Sequence, residues 1–226
     1  MFHKVYPLTA GGNFQLDNVN GSVRVEGWNR DEVEVSAVKV SNSGGSDVSQ
    51  VTIDVESHPG TVNVHTHYPK GEGAEVAVEY RVHVPFRVLL GSVGTVNGSV
   101  IVKGVDGGGE LRTVNGNVEV FDSAGRFSEK TTNGNLRLEL RKLEEGGPMK
   151  LETVNGSVIL GLPAGSGANV NALSMNGELY SEFPATSKTA MRAPRAFNGK
   201  LGTGGGNISV RTINGGIKLL LQHPAA

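Results

Sequence analysis

The sequence predicts an all-β chain wound as a single-domain parallel β-solenoid, a β-helix of about eight coils with an antiparallel capping layer in its N-terminal part. Three observations predict it. The dipeptide Asn-Gly occurs eight times in 226 residues. Aliphatic residues stand at fixed offsets from each of these dipeptides with period two, the mark of a strand with one buried face. The composition, 33 Gly, 30 Val and 18 Asn against one Trp and no Cys, opposes long helices. Gly and Asn are poor helix formers and Val loses rotamer freedom there, whereas all three suit short strands and tight turns.

The corners come first. They are Asn20-Gly21, Asn97-Gly98, Asn115-Gly116, Asn133-Gly134, Asn155-Gly156, Asn176-Gly177, Asn198-Gly199 and Asn214-Gly215, and from Asn97 onward the intervals are 18, 18, 22, 21, 22 and 16 residues. A sustained period of this size signals stacked units. Asn-Gly tolerates φ > 0, which a sharp corner between two short strands is expected to need.

Each corner is followed by a strand. Three places after the Asn stand Val23, Val100, Val118, Leu136, Val158, Leu179, Leu201 and Ile217. Five places after stand Val25, Val102, Val120, Leu138, Leu160 and Leu219, with Ser181 and Thr203 as interruptions. A strand also precedes each corner. Leu16, Val93, Leu111, Leu151 and Val210 lie four places ahead, and Thr95, Thr113, Thr131, Thr153 and Thr212 two ahead. An antiparallel meander would also use Asn-Gly turns. The return of one residue type at every corner favours the solenoid, with each Asn about 4.8 Å above the next and bonded to it as an amide ladder.

The 77 residues between Asn20 and Asn97 break the period. Segments 33–40, 48–55, 62–68 and 74–84 alternate apolar and polar residues, and Gly or Pro clusters at 43–46, 59–60 and 69–73 separate them. They are expected as four antiparallel strands, an insertion or cap over residues 28–92 that covers an open solenoid end, ahead of regular coils over 93–221. At the far end Pro224 cannot donate a ladder hydrogen bond.

Formal charge is −1, from 21 basic and 22 acidic residues, so no general attraction to nucleic acid or anionic membrane is expected. The absence of Cys excludes disulfides and thiolate chemistry. No stretch approaches the ~20 apolar residues of a membrane span, and the first residues lack the apolar core of a signal peptide.

The run Asn-Gly-Ser-Val-Arg-Val-Glu-Gly-Trp-Asn-Arg-Asp-Glu-Val-Glu-Val from Asn20 to Val35, then Val82-His-Val-Pro85, then repeated Thr-Val-Asn-Gly-Ser/Asn-Val, resembles the bacterial putative-adhesin β-strand repeat family. That domain of unknown function is related to auto-transporter adhesin head domains, and the resemblance covers nearly the whole chain. It implies a β-solenoid from an exported protein of the periplasm or cell surface, with an adhesin-like binding or structural role and no catalytic motif.

Candidate chemistry is weighed on the outward positions. Glu119 beside Arg137, and the column Arg112, Lys130 and Glu152, read as charge pairing between neighbouring strands, because no Asp/Glu pair recurs as an acid and base. An enzyme is not expected. His65, His67 and His83 are the weak candidates for a metal, since three imidazoles on adjacent strands can hold a divalent ion. The Gly-rich runs 104–109 and 202–206 lack the Gly-Lys-Ser/Thr ending of a phosphate loop. Trp28 is expected to seal the core. No cofactor is expected. The expected partners are an envelope polysaccharide or protein, or further copies of the chain, as in a bactofilin-like self-assembling scaffold. A carbohydrate-active enzyme ranks behind both.

Overall fold

In a computed structural model, residues 1–41, 48–69, 76–184 and 195–222 are described. The Pro224 stop, the 43–46 cluster and most of 69–73 lie outside them. The chain is all-β, with no helix among the described residues. In chain order the strands are β1 (Phe2–Pro7), β2 (Asn13–Asp17), β3 (Val23–Trp28), β4 (Glu32–Ser41), β5 (Thr52–His58), β6 (Thr61–His67), β7 (Val76–Pro85), β8 (Leu89–Gly94), β9 (Val100–Lys103) and β10 (Gly109–Arg112). They continue with β11 (Val118–Gly125), β12 (Phe127–Lys130), β13 (Leu136–Leu143), β14 (Met149–Asn155), β15 (Val158–Pro163), β16 (Ala168–Asn176), β17 (Leu179–Ser181), β18 (Arg195–Leu201), β19 (Asn207–Asn214) and β20 (Ile217–Gln222).

These strands form two ten-stranded, mostly parallel sheets. One has the order β1-β4-β7-β3-β9-β11-β13-β15-β20-β17, the other β18-β16-β19-β14-β12-β10-β8-β2-β6-β5. The chain passes from the second sheet to the first at an Asn-Gly, so β2–β3, β8–β9, β10–β11, β12–β13, β14–β15, β16–β17 and β19–β20 are seven successive turns of the same design. Alternation along each strand decides what is buried. Val118 and Val120 face inward while Glu119 faces out, and Leu136, Leu138 and Leu140 repeat this one strand on. Parallel registers stack Val23, Val100, Val118, Leu136, Val158 and Ile217 into one continuous inner column. Each such side chain, taken fully from water, contributes roughly 1.5–3 kcal/mol.

Spatial order departs from chain order at both ends. The pass β2–β3 lies between β8–β9 and β6–β7, and the pass β19–β20 lies between β14–β15 and β16–β17. At the C-terminal end the chain lays down the outer turn first and then returns to fill the gap beneath it, whereas at the N-terminal end β2–β3 is laid down first and β6–β7 is added over it.

The four strands expected between Asn20 and Asn97 are β4, β5, β6 and β7, but they are not a uniform antiparallel layer. β6 runs parallel to β2, and β7 parallel to β3, so this pair extends the stack. In this N-terminal part, antiparallel pairing is confined to β4 on β7, β1 on β4 and β5 on β6. The inner faces explain it: Val62 and Val64 on β6, and Val78, Tyr80, Val82 and Val84 on β7, continue the buried columns of the coils.

Asn198-Gly199 is not a corner. It lies inside β18, antiparallel to β16, with Asn198 opposite Asn171. Phe197, Gly199 and Leu201 face inward, so the strand runs straight through the dipeptide and covers the edge of β16.

Candidate functional site

The seven remaining corners form one row, in the order Asn20, Asn97, Asn115, Asn133, Asn155, Asn214, Asn176. Three sets of hydrogen bonds run along it. Each Asn Nδ2 donates to the Oδ1 of the Asn before it: 2.8 Å for Asn97 to Asn20, Asn115 to Asn97, Asn133 to Asn115, Asn155 to Asn133 and Asn214 to Asn155, and 3.0 Å for Asn176 to Asn214. Beneath the amides, buried hydroxyls donate to the glycine carbonyl of the neighbouring turn, as in Thr113 to Gly98 O at 2.8 Å, Thr131 to Gly116 O at 3.0 Å and Thr153 to Gly134 O at 2.9 Å. Thr212 and Ser174 continue the set onto Gly156 O and Gly215 O. On the other flank the side chains of Ser99, Asn117, Asn135 and Ser157 accept from the backbone N–H of the next turn.

Left-handed backbone accounts for one corner glycine, Gly21 at φ 109°, and not for the others. No corner Asn has positive φ, Gly98 and Gly215, at 158° and 157°, are close to extended, and Gly116, Gly134, Gly156 and Gly177 have no positive φ. What excludes a side chain is close approach. A Cβ on Gly116 would meet the carbonyl of Gly98, one on Gly134 that of Gly116, and one on Gly156 that of Gly134. The neighbouring backbone takes the space.

Immediately before each Asn the side chain points into solvent. In spatial order these residues are Val19, Val96, Val114, Thr132, Val154, Ile213 and Met175, and the six apolar ones are 37–43% exposed. Seven turns about 4.8 Å apart make a ridge about 29 Å long. Neither the aliphatic row nor the Asn row beside it holds a charge. Each of the five interior ladder amides, Asn97, Asn115, Asn133, Asn155 and Asn214, uses one N–H and one lone pair along the row, which leaves one donor and one acceptor at each of these turns for a partner. Nothing in the repeat reading singled out this row, although the Val of Thr-Val-Asn-Gly was its signal.

The outward charges behave as surface pairs. Arg112 reaches over Gly94, which has no side chain to block it, to Asp17 at 2.7 Å. Lys130 and Glu152 are register neighbours, as are Glu119 and Arg137. Arg137 makes its ion pair with Glu139 on its own strand at 2.7 Å and lies over the Phe121 ring. Exposed pairs of this kind are worth about 0–1 kcal/mol each.

The three histidines do not converge. His65 and His67 are on β6 in one sheet, paired with Asp17 at 3.7 Å and Asp54 at 3.1 Å, whereas His83 is on β7 in the other, 3.2 Å from Glu34. β6 and β7 belong to different sheets, so their outward side chains lie on different faces. Among the described residues no group of three or more His, Asp or Glu could hold a metal ion.

Trp28 does not seal the core. It is outward on β3, stacked on His83 with centroids 5.1 Å apart, under the Arg30 guanidinium at 4.6 Å, and its Nε1 donates to Glu32 O. Strand parity explains the reversal, since inward Val23 and Val25 make Trp28 an outward position. With Phe86, Arg87 and Asp106 it lines a shallow groove of about 400 Å³.

One inward position is polar. Glu129 on β12 is 1% exposed, neither of its carboxyl oxygens has a hydrogen-bond partner, and burial first, with the charge of Glu119 second, pushes its carboxyl well above the usual range. Alignment on Asn133 contains the signal, because Glu129 stands where the other turns have Leu, Val or Ala.

The crystal structure of a "putative cell adhesion protein" from Clostridium sporogenes is similar to this chain at TM-score 0.48 and 9% identity, over 98% of this chain and 99% of that one. That of a "putative adhesin" from Bacteroides fragilis is similar at TM-score 0.44 and 11% identity, over 97% and 96%. No curated protein is significantly similar to the chain. No helix of the described residues is long and apolar enough to cross a membrane. The Toastrack DUF4097 model matches residues 90–220, more than half of the chain and the whole run from β9 to β19, so the protein belongs to the Toastrack DUF4097 family, a domain family of unknown function.

Proposed function

We propose that this protein is a non-enzymatic, adhesin-like binding module of the bacterial envelope, exported to the periplasm or cell surface, in which one β-solenoid over residues 1–226 presents the corner ridge to an extended, uncharged polysaccharide. The observation that carries the reading is the ridge itself: six solvent-facing aliphatic side chains in line with a row of exposed amides on a backbone held by three sets of hydrogen bonds. The ridge is uncharged, which favours an uncharged partner. Covering six side chains that are two-fifths exposed yields roughly 4–7 kcal/mol, from ~1.5–3 kcal/mol per full burial. Association costs about 4–15 kcal/mol, and a stable protein interface uses about 20–30 residues a side. A second folded copy is therefore poorly matched to so narrow a strip. An extended chain with hydroxyls on every unit adds a hydrogen bond to the amide row at each interior turn from Asn97 to Asn214. Outward carboxylates tied to Arg or His, such as Asp17, Asp54, Glu34 and Glu139, favour a binding role over hydrolysis.

A panel of neutral and acidic envelope glycans immobilised at high density tests this. The native chain should bind a neutral member with affinity in the micromolar to millimolar range, and Val114→Asp or Val154→Asp should lower it at least tenfold while leaving the melting temperature within a few degrees. Binding that is unchanged in both variants removes the ridge as the surface, and no binding to any neutral glycan removes the reading.

The alternative is a self-assembling scaffold. Among the described residues the first sheet ends at β17, three residues long and paired only to β20, which is an open edge. Concentration-dependent light scattering supports the scaffold, and a strict monomer at high concentration removes it.

A further inference from the structure

In the inward column four places before each corner, the stack reads Leu16, Val93, Leu111, Glu129, Leu151, Val210, each in register with the next. Glu129 is fully enclosed between Leu111 and Leu151, with both carboxyl oxygens unpartnered. From the strands packed against it, the inward side chains are Leu111 on β10, Met149, Leu151 and Thr153 on β14, and Leu136, Leu138 and Leu140 on β13, none of them ionisable. The charges on those strands, Glu110, Arg112, Arg137, Glu139, Lys150 and Glu152, point to the outer faces, as does Lys130 on β12 itself, and Arg141 and Lys142 near the end of β13 are exposed and paired with Asp106 and Glu144. Glu119, outward on β11, is the charge that acts on Glu129, and it repels. A carboxylate without a counter-ion or hydrogen-bond donor in such surroundings is far costlier than the neutral acid.

The seam beside it is short. β12 has four residues, and its ladder with β14 consists of two register pairs, one of which is Glu129 with Leu151. The same turn carries Asn133, the middle of the seven corners, and Thr132, the one interruption of the aliphatic ridge.

We propose that Glu129 makes the stack proton-gated: the β10–β12–β14 seam is closed while the carboxyl keeps its proton and is driven open when the proton is lost. Opening there divides the amide ladder and the ridge at their midpoint. The direction follows from linkage. In the unfolded chain a Glu releases its proton near its ordinary value of about 4.3, whereas the enclosed carboxyl retains it to higher pH. The stability tied to Glu129 is thus fully present below that ordinary value. It falls about tenfold in the folding equilibrium constant per pH unit above it, until pH passes the folded value.

The test uses the full chain, with thermal melts and amide hydrogen exchange from about pH 5 to about pH 9 for the native protein, Glu129→Gln and Glu129→Leu. The native melting temperature relative to Glu129→Gln should fall as pH rises, and the margin of Glu129→Leu over the native chain should widen. Exchange in β10, β12 and β14, corrected for intrinsic rates, should speed up with pH in the native chain alone. If Glu129→Gln fails to fold, the comparison with Glu129→Leu reads the same dependence. Differences that stay constant across the pH range overturn the proposal.

Discussion

Replacing Gly134 by Ala should cost far more than a methyl group on an exposed turn ordinarily does. The new Cβ would be driven into the carbonyl of Gly116, a backbone atom that no rotamer change can move aside. Relief requires the turns at Asn115 and Asn133 to part. That weakens the bonds Gly116 N–H to Asn133 O at 2.9 Å, Thr131 Oγ1–H to Gly116 O at 3.0 Å and Asn133 Nδ2–H to Asn115 Oδ1 at 2.8 Å. Two to three bonds at about 1 kcal/mol each, with overpacking of about 1–3 kcal/mol, put the loss near 3–6 kcal/mol. For a chain of this length that is a fall of about 6–24 °C in Tm. Gly147→Ala is the control, since a Cβ there meets nothing within 4 Å. Gly134→Asn separates the two explanations of the corner: if left-handed backbone were the requirement Asn would be tolerated, whereas crowding makes it at least as damaging as Ala. Urea or thermal unfolding monitored by circular dichroism measures all three. A Gly134→Ala protein within about 1 kcal/mol of the native chain would refute the reasoning.

Asn133→Ala removes two rungs of the amide ladder, to Asn115 and from Asn155, and should lower stability by about 1–2 kcal/mol with no change in fold. Trp28 is the only Trp, so intrinsic fluorescence reports on the C-terminal end of β3. His83→Ala, which uncovers the stacked ring face, should raise acrylamide quenching while leaving the far-ultraviolet circular dichroism intact, and unchanged quenching would contradict the stacking.

The repeat was legible because its determinants are local. Val118, Val120, Leu136 and Leu138 announce an inward face through period two, and that parity holds whatever strand lies alongside. The Asn-Gly spacing announces the corners for the same reason. The crowding that selects Gly134 was not legible, because the atom that excludes a side chain belongs to Gly116, 18 residues away. Trp28 was misread by size, whereas its odd offset of three positions from inward Val25 decides that it faces out. Glu129 was visible as an exception in its column, but its meaning depends on whether a donor reaches it, and only packing decides that.

By itself, the sequence determined the unit: two short strands, an aliphatic inner face, a Thr below and an Asn at the bend, all within about 20 residues and governed by side-chain period. The tertiary structure decided the order of the units. β19–β20 slots between β14–β15 and β16–β17, β2–β3 slots beneath β6–β7, and Asn198 ends in an antiparallel edge strand. Any strand with a Val or Leu inner face can pair with any other. Which ones meet is settled by backbone hydrogen bonds and burial across long stretches of chain, and no local pattern encodes these.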